Sequence, residues 1–255
     1  MNPLHTRLAA AVVGVGLVIA APAAAWAGPR PPVSTSPTAI TPPSDSTRRD
    51  LEAVRARCLA AIDVRLPALA AARTALSDNE HVTDNHRSAL VANLDETAGR
   101  LRDLAVLIKA DADLAALRDH CRSVFEDNRV FALVLPRVRI VAGADTATDV
   151  AATLHDITGK LADAITRAEA AGQDVRQAKI DLDMMKAGIA SGAAAAGTVP
   201  GAVLGLTPAD WNADHEVLTP ARQSLREARA DLKVARDLAV KIRNELKPTP
   251  AAPQA

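Results

Sequence analysis

The residues of this chain best suited to chemistry are two cysteines and a scatter of histidines, and their spacing limits what they can do. Past His5, the histidines are His81, His86, His120, His155 and His215. None repeats at the i, i+4 interval of a zinc-protease helix, and no Glu-x-x-His motif of a di-iron bundle occurs. Asp84 with His86, and the run Asp214-His215-Glu216, read as helix-start acids beside solvated histidines. Asp145, Thr146, Thr148 and Asp149 lack the central glycine and closing glutamate of a calcium loop, so they read as capping residues. The nucleophile motifs Gly-x-Ser-x-Gly and Ser-x-x-Lys are missing, as is a phosphate-binding loop. His120 and Cys121 are neighbours, but adjacent helical residues point about 100° apart and cannot act as a pair. We therefore expect no catalytic residue, no bound metal and no cofactor, and a protein that is not an enzyme.

The two cysteines have a different use. Cys58 and Cys121 are the only ones in the chain, and each falls in the apolar stripe of a helix. If the first three helices run up, down and up, both thiols come to nearly the same height and face inward. A disulfide is expected, closing a loop of about 60 residues worth several kcal/mol in the chain-entropy model.

Such a bond needs an oxidising compartment, and the start of the chain supplies the route. His5 and Arg7 precede an uncharged run, Leu8 to Ala20, of about 13 residues, too short for the ~20 that span a bilayer. Ala25-Trp26-Ala27 then presents small residues where a signal peptidase cuts, between Ala27 and Gly28. The reading is a cleaved signal peptide over 1–27 and a secreted or cell-envelope protein. Lys and Arg total 30, as do Asp and Glu, and losing Arg7 leaves the exported chain only slightly acidic. Near-neutrality argues against nucleic acid or anionic lipid as the main ligand.

Composition then selects the architecture. Aromatic residues make up 2% and tyrosine is absent. A sheet core wants aromatic and β-branched side chains, whereas alanine is the strongest helix former. The prolines of 28–47 mark a disordered spacer and those of 248–255 a disordered tail. Between them, 48–247 carries helical periodicity almost throughout. Leu218, Ala221, Leu225, Ala228, Leu232, Ala235, Ala239, Ile242 and Leu246 form a heptad seam. Leu51, Val54, Cys58, Ile62, Leu69 and Leu76 mark a first helix, kinked at Pro67. A second starts after the cap Thr83 and carries Leu90, Leu94, Leu101, Leu104 and Ile108. A third starts near Asp113. It either continues through Pro136 and Gly143 as one rod of about 59 residues, roughly 88 Å, or breaks near Gly143 and restarts on Asp145 or Thr146, stopping at Gly172. A fourth runs from Asp174 to about Gly197, followed by an apolar loop over 198–206. Thr207-Pro208-Ala209-Asp210 restarts the last helix. Val130 to Val141 has strand-like composition, but no partner strand exists, so it reads as a helix buried on all sides. The fold expected is an all-α, elongated antiparallel bundle or coiled coil of about five helices.

Two kinds of residue stand out against this frame. Arg65 and Asn128 interrupt apolar stripes. They either control register and snorkel or anchor a ligand or peptide beside an apolar groove. Phe131, Leu135, Leu204 and Trp211 are candidates for apolar contact with lipid, membrane or a partner.

Several short runs carry a family likeness: Arg57-Cys58 with Ile62 and Arg65; Asp113-Leu114-x-x-Leu117-Arg118-x-x-Cys121; Asp127-x-Arg129-Val130-Phe131-x-Leu133-x-x-Pro136; and Thr207-Pro208-x-Asp210-Trp211-Asn212. Together they resemble a group of exported helical proteins of high-GC Gram-positive (actinobacterial) bacteria. That resemblance implies export and a helical fold, and no activity. The functional expectation is an exported, non-enzymatic protein with a structural or protein-interaction role, through an unknown partner or self-association. The alternative is a carrier or sensor of hydrophobic small molecules or lipid.

Overall fold

A computed structural model describes residues 45–247. The expected signal segment, its Ala27–Gly28 cleavage point, the expected spacer up to residue 44 and the tail from 248 lie outside the described residues; residues 45–47, expected as spacer, belong to the first helix. The described chain is an all-α bundle: α1 Asp45–Ser77, α2 Asp84–Ala110, α3 Leu114–Glu126, a π-helical turn Val130–Val134, α4 Leu135–Ala170, α5 Arg176–Val203, α6 Pro208–Ala213 and α7 Thr219–Glu245. None of the described residues is in a strand.

The helices pack as two groups of three. In the first, Arg73 of α1 meets Asp95 of α2, while Arg55 reaches the carbonyls of Ile108 and Asp111, so α1 and α2 run antiparallel. Cys58 and Cys121 are joined in a disulfide with their Cα atoms 5.6 Å apart, which sets α3 alongside α1. Ile62, Leu69, Leu90, Leu94, Leu101, Ile108 and Leu117 fill the space between them. In the second group α5 descends against α7, with Asp181 opposite Lys241 and Ser191 opposite Asp231. The heptad seam of α7 is buried from Leu218 to Ile242, with Ala239 and Leu246 half-covered. A Cβ on Gly192 would lie 2.8 Å from Leu232 Cγ and 3.1 Å from the Ala228 carbonyl, so the bare glycine sets how closely α5 and α7 approach.

The expected third helix is corrected at its break. It runs unbroken through Pro136 and Gly143, yet it is not one rod, because the chain turns at Asp127–Arg129. The Asn128 amide donates to the Ser123 carbonyl at 2.9 Å and satisfies the end of α3. Arg129 takes φ 38°, a left-handed conformation rare for a side chain with a Cβ. The wider π turn follows, and Pro136 falls in the first turn of α4, where a missing N–H costs nothing. Neither Asp145 nor Thr146 starts a helix, since both lie well inside α4.

Two more boundaries differ. The loop expected over 198–206 is largely helix: α5 continues to Val203, with Pro200 inside it. Burial of Ala196, Val199, Pro200 and Val203 outweighs the poor propensity of this Gly/Pro stretch. The last helix is two pieces: Asp214 takes an extended conformation that ends the short capped α6, and the long α7 starts at Thr219 with Pro220 in its first turn, where a missing N–H is tolerated. The strand-like segment is helical as expected, with Val130, Leu133, Val134, Leu135, Val138, Ile140 and Val141 buried, but it is not buried on all sides, because Phe131 and Arg139 are exposed.

Candidate functional site

The turn between α3 and α4 brings together Arg65 and Asn128, the two polar residues that the sequence marks in the apolar stripes. Arg65 projects from α1 and lies over the ring of Phe125, 4.5 Å from its centroid, and over Phe131 at 5.4 Å. One of its amino groups donates to the Ala61 carbonyl at 2.9 Å, while Nε has no protein partner. Burial pushes its pKa down, but a guanidinium stays charged. Two aromatic faces are the partners a weakly hydrated cation accepts without a carboxylate. Asn128 is fully buried and also accepts from Arg100 Nε at 3.4 Å. Its part is that of a polar pin between α2 and α3.

α6 closes the same turn from outside. Its capping box is complete: the Asp210 carboxylate accepts from the Thr207 N–H, and the Thr207 hydroxyl oxygen accepts from the Asp210 N–H. That helix aims Asn212 at the break, where its oxygen accepts from Arg129 Nε at 2.5 Å and its amide donates to the Glu126 carbonyl at 3.1 Å. Trp211 packs half-buried against the core, with its ring 5.6 Å from that of His215.

Beside Arg65 runs a groove of about 430 Å³ between α1 and the start of α4. Ala68, Ala71, Ala72 and Ala75 form one wall; Phe131, Leu135 and Val138 form the other, with Arg139 among the lining residues. Phe131 is 48% exposed and is shared between the groove and the Arg65 stack, whereas Leu135 is 8% exposed and belongs to the core. Leu204 and Trp211 do not line this groove; each is half-buried near the chain's return from α5. Of the four apolar candidates, the structure therefore joins Phe131 and Leu135 only.

Other polar residues tie helices together. Asp145 is buried in α4 and accepts from His86 Nδ1 at 2.8 Å and from the Thr83 N–H at 3.0 Å. His81 meets Asp149 at 2.9 Å, and His120 meets Asp111 at 2.9 Å. Arg137 is 3% exposed and donates to the Leu206 carbonyl, fastening α4 to the segment after α5, and burial lowers its pKa. Asp181 is also buried; burial raises its pKa, but the hydrogen bonds from Lys241 and Gln177 outweigh that and hold it low. Among the described residues, no three His, Cys, Asp or Glu side chains converge as a metal cage would need, and no helix is long and apolar enough to cross a membrane.

Sequence reasoning placed Asp84 beside His86; the observed partner is Asp145, 59 positions away. It also missed the α1 wall of the groove, because alanines at helical spacing look the same whether covered or open. Compared with family models, curated proteins and solved structures, the chain matches none of them.

Proposed function

We propose that this is an exported, non-enzymatic interaction protein of the cell envelope or extracellular space, which receives its partner in the α1–α4 groove. The observation that carries this reading is the alanine wall facing Phe131, with the Arg65 guanidinium 5.4 Å from the centre of the same ring. Alanine side chains let another helix approach closely, Phe131 offers an apolar anchor, and a cation at the edge gives direction. The disulfide supports export, since such bonds persist in oxidising compartments. A photo-crosslinking residue in place of Ala71, used in the native host and followed by mass spectrometry, tests this. A discrete protein adduct that Phe131→Ala abolishes is the expected result. No adduct, or one indifferent to Phe131, overturns it.

A second reading, a carrier of hydrophobic molecules, draws on the groove between α4 and α5. It is about 590 Å³ and is lined by Ala151, Ile189, Ala190 and Ala193, within the size range of small-ligand sites. Displacement of a fluorescent lipid probe, lost in Ala190→Glu, would support it; failure of the probe to bind removes it.

A further inference from the structure

The chain is neutral in sum, but its charges are not spread evenly. Along the parallel helices α4 and α7 run two hollows that share Arg229, of about 270 and 320 Å³. Arg139, Arg222, Arg226, Arg229, Lys233 and Arg236 line them, and all six are exposed. Asp237 pairs with Lys233 at 2.7 Å and lies 4.0 Å from Arg236. Among the described residues no carboxylate pairs with Arg139, Arg222, Arg226 or Arg229, although acids equal bases over the whole sequence. Crowding cations in one groove costs self-repulsion, which a bound anion would relieve.

The groove is also shaped around one of them. A Cβ at Gly143 would stand 2.5 Å from Arg229 Nη2, so the Arg229 guanidinium lies directly on the bare backbone of α4. The guanidinium therefore lies against the floor of the groove at Gly143. On α7 the cations recur at steps of four and three residues, and from Arg222 to Arg236 they extend about 21 Å at helical rise. A single small anion would meet only part of that row; a linear polyanion meets all of it.

We infer that the α4–α7 groove binds a linear polymer of phosphate diesters. The lining offers donors in quantity, and Thr146 is its only polar side chain without a charge. An acidic peptide would leave its backbone N–H groups to water, because the lining offers almost no acceptor, while a phosphate diester needs donors alone, which planar arginine forks supply in pairs. No aromatic side chain lines the groove, so it lacks the stacking platform on which bases of single-stranded nucleic acid rest. A hollow rather than a convex face also suits a strand better than a membrane plane. This site adjoins the α1–α4 groove, with which it shares Arg139, but its row of α7 cations stands whether or not that groove holds a protein.

The probe is end-labelled synthetic poly(glycerol phosphate), titrated by fluorescence anisotropy against the chain with its disulfide formed. Saturable binding is expected, weakening with salt on a log–log slope of about −3 to −4 for four to six neutralised phosphates. Arg222→Gln with Arg229→Gln should cut affinity at least about tenfold and flatten the slope by about 1.4. Gly143→Ala, which lifts Arg229 off the floor at constant charge, should weaken binding severalfold. Arg102→Gln with Arg118→Gln, the same charge loss on exposed positions elsewhere, should change it little; circular dichroism confirms that each variant is folded. The inference fails if the polymer does not saturate, or if the Arg102/Arg118 control loses as much affinity as the groove variant. It also fails if polyglutamate of equal length binds as tightly, if oligothymidylate out-competes the polymer, or if phosphatidylglycerol vesicles bind where the free polymer does not.

Discussion

The two three-helix groups solve one packing problem by different means. The α1–α2–α3 group includes a helix of 13 residues, too short to build a continuous seam, and it is held at discrete points. The disulfide pins α3; Arg87 reaches the carbonyls of Leu76, Ser77, Asn79 and Val82 and closes the end of α1; Arg55 closes the end of α2. The α4–α5–α7 group contains no cysteine. Its helices are 36, 28 and 27 residues long and meet along small-residue seams at Gly188, Gly192, Ala228 and Ala235. Length supplies there what crosslinks supply to the short α3, since α1 and α2, at 33 and 27 residues, are as long as α5 and α7. Packed surface grows with each turn of helix, while a bond or a capped carbonyl contributes once, whatever the length.

The contrast is breakable by experiment. Replacing both Cys58 and Cys121 by serine should cost the largest amount, about 4 kcal/mol for a loop of this length, measured by urea unfolding. Hydrogen exchange should then show α3 opening first, with α5 and α7 still protected. Equal early exchange in α7 would mean that the groups unfold as one. Gly192→Val attacks the other group, forcing α5 off Leu232 and the Ala228 backbone, and should cost about 3 kcal/mol. Here the order of exchange reverses, with α5 and α7 opening ahead of α3.

Lys241→Met leaves Asp181 without its cation, with Gln177 still donating to it, and should lower the urea midpoint by less than Gly192→Val does. This pair also has a pH signature. The folded-state pKa of Asp181 is depressed, so its contribution is present above the ordinary carboxylate value and is lost as pH falls through the lowered one. Stability of the parent chain should therefore drop in that acidic window, and the Asp181→Asn chain should lose less across it. The smallest expected effect is at the N-cap of α3, where the Asp113 carboxylate accepts from the Ala116 N–H at 2.8 Å. Asp113→Ala should cost about 1 kcal/mol, and the cost should grow in the reduced protein if α3 depends on point attachments.

How far the fold could be read from sequence follows the same divide. The α7 seam was legible to the residue, because a heptad of leucine and alanine has one geometric solution. The cysteine pair was legible because both lie in stripes at equal height. The break before α4 was not, since Arg129 is a side chain that seldom takes a positive φ and no glycine or proline stands at the turn. The helix through Gly197 and Pro200 was hidden because burial overrode propensity. The groove beside Arg65 was half legible: Phe131 and the polar intruders stood out, but only tertiary structure brings the alanines of α1 opposite. The arginine row escaped notice because net charge averages over a surface that folding sorts.

The Cys58–Cys121 bond encloses all of α2 and both of the turns that flank it. Any single backbone cut between those cysteines produces two polypeptides that remain one molecule. In an environment rich in proteases, a nicked copy gains only the water of hydrolysis and keeps both pieces together until a reductant separates them. Limited digestion read on gels with and without reductant would show it, as a band that is whole in one lane and divided in the other.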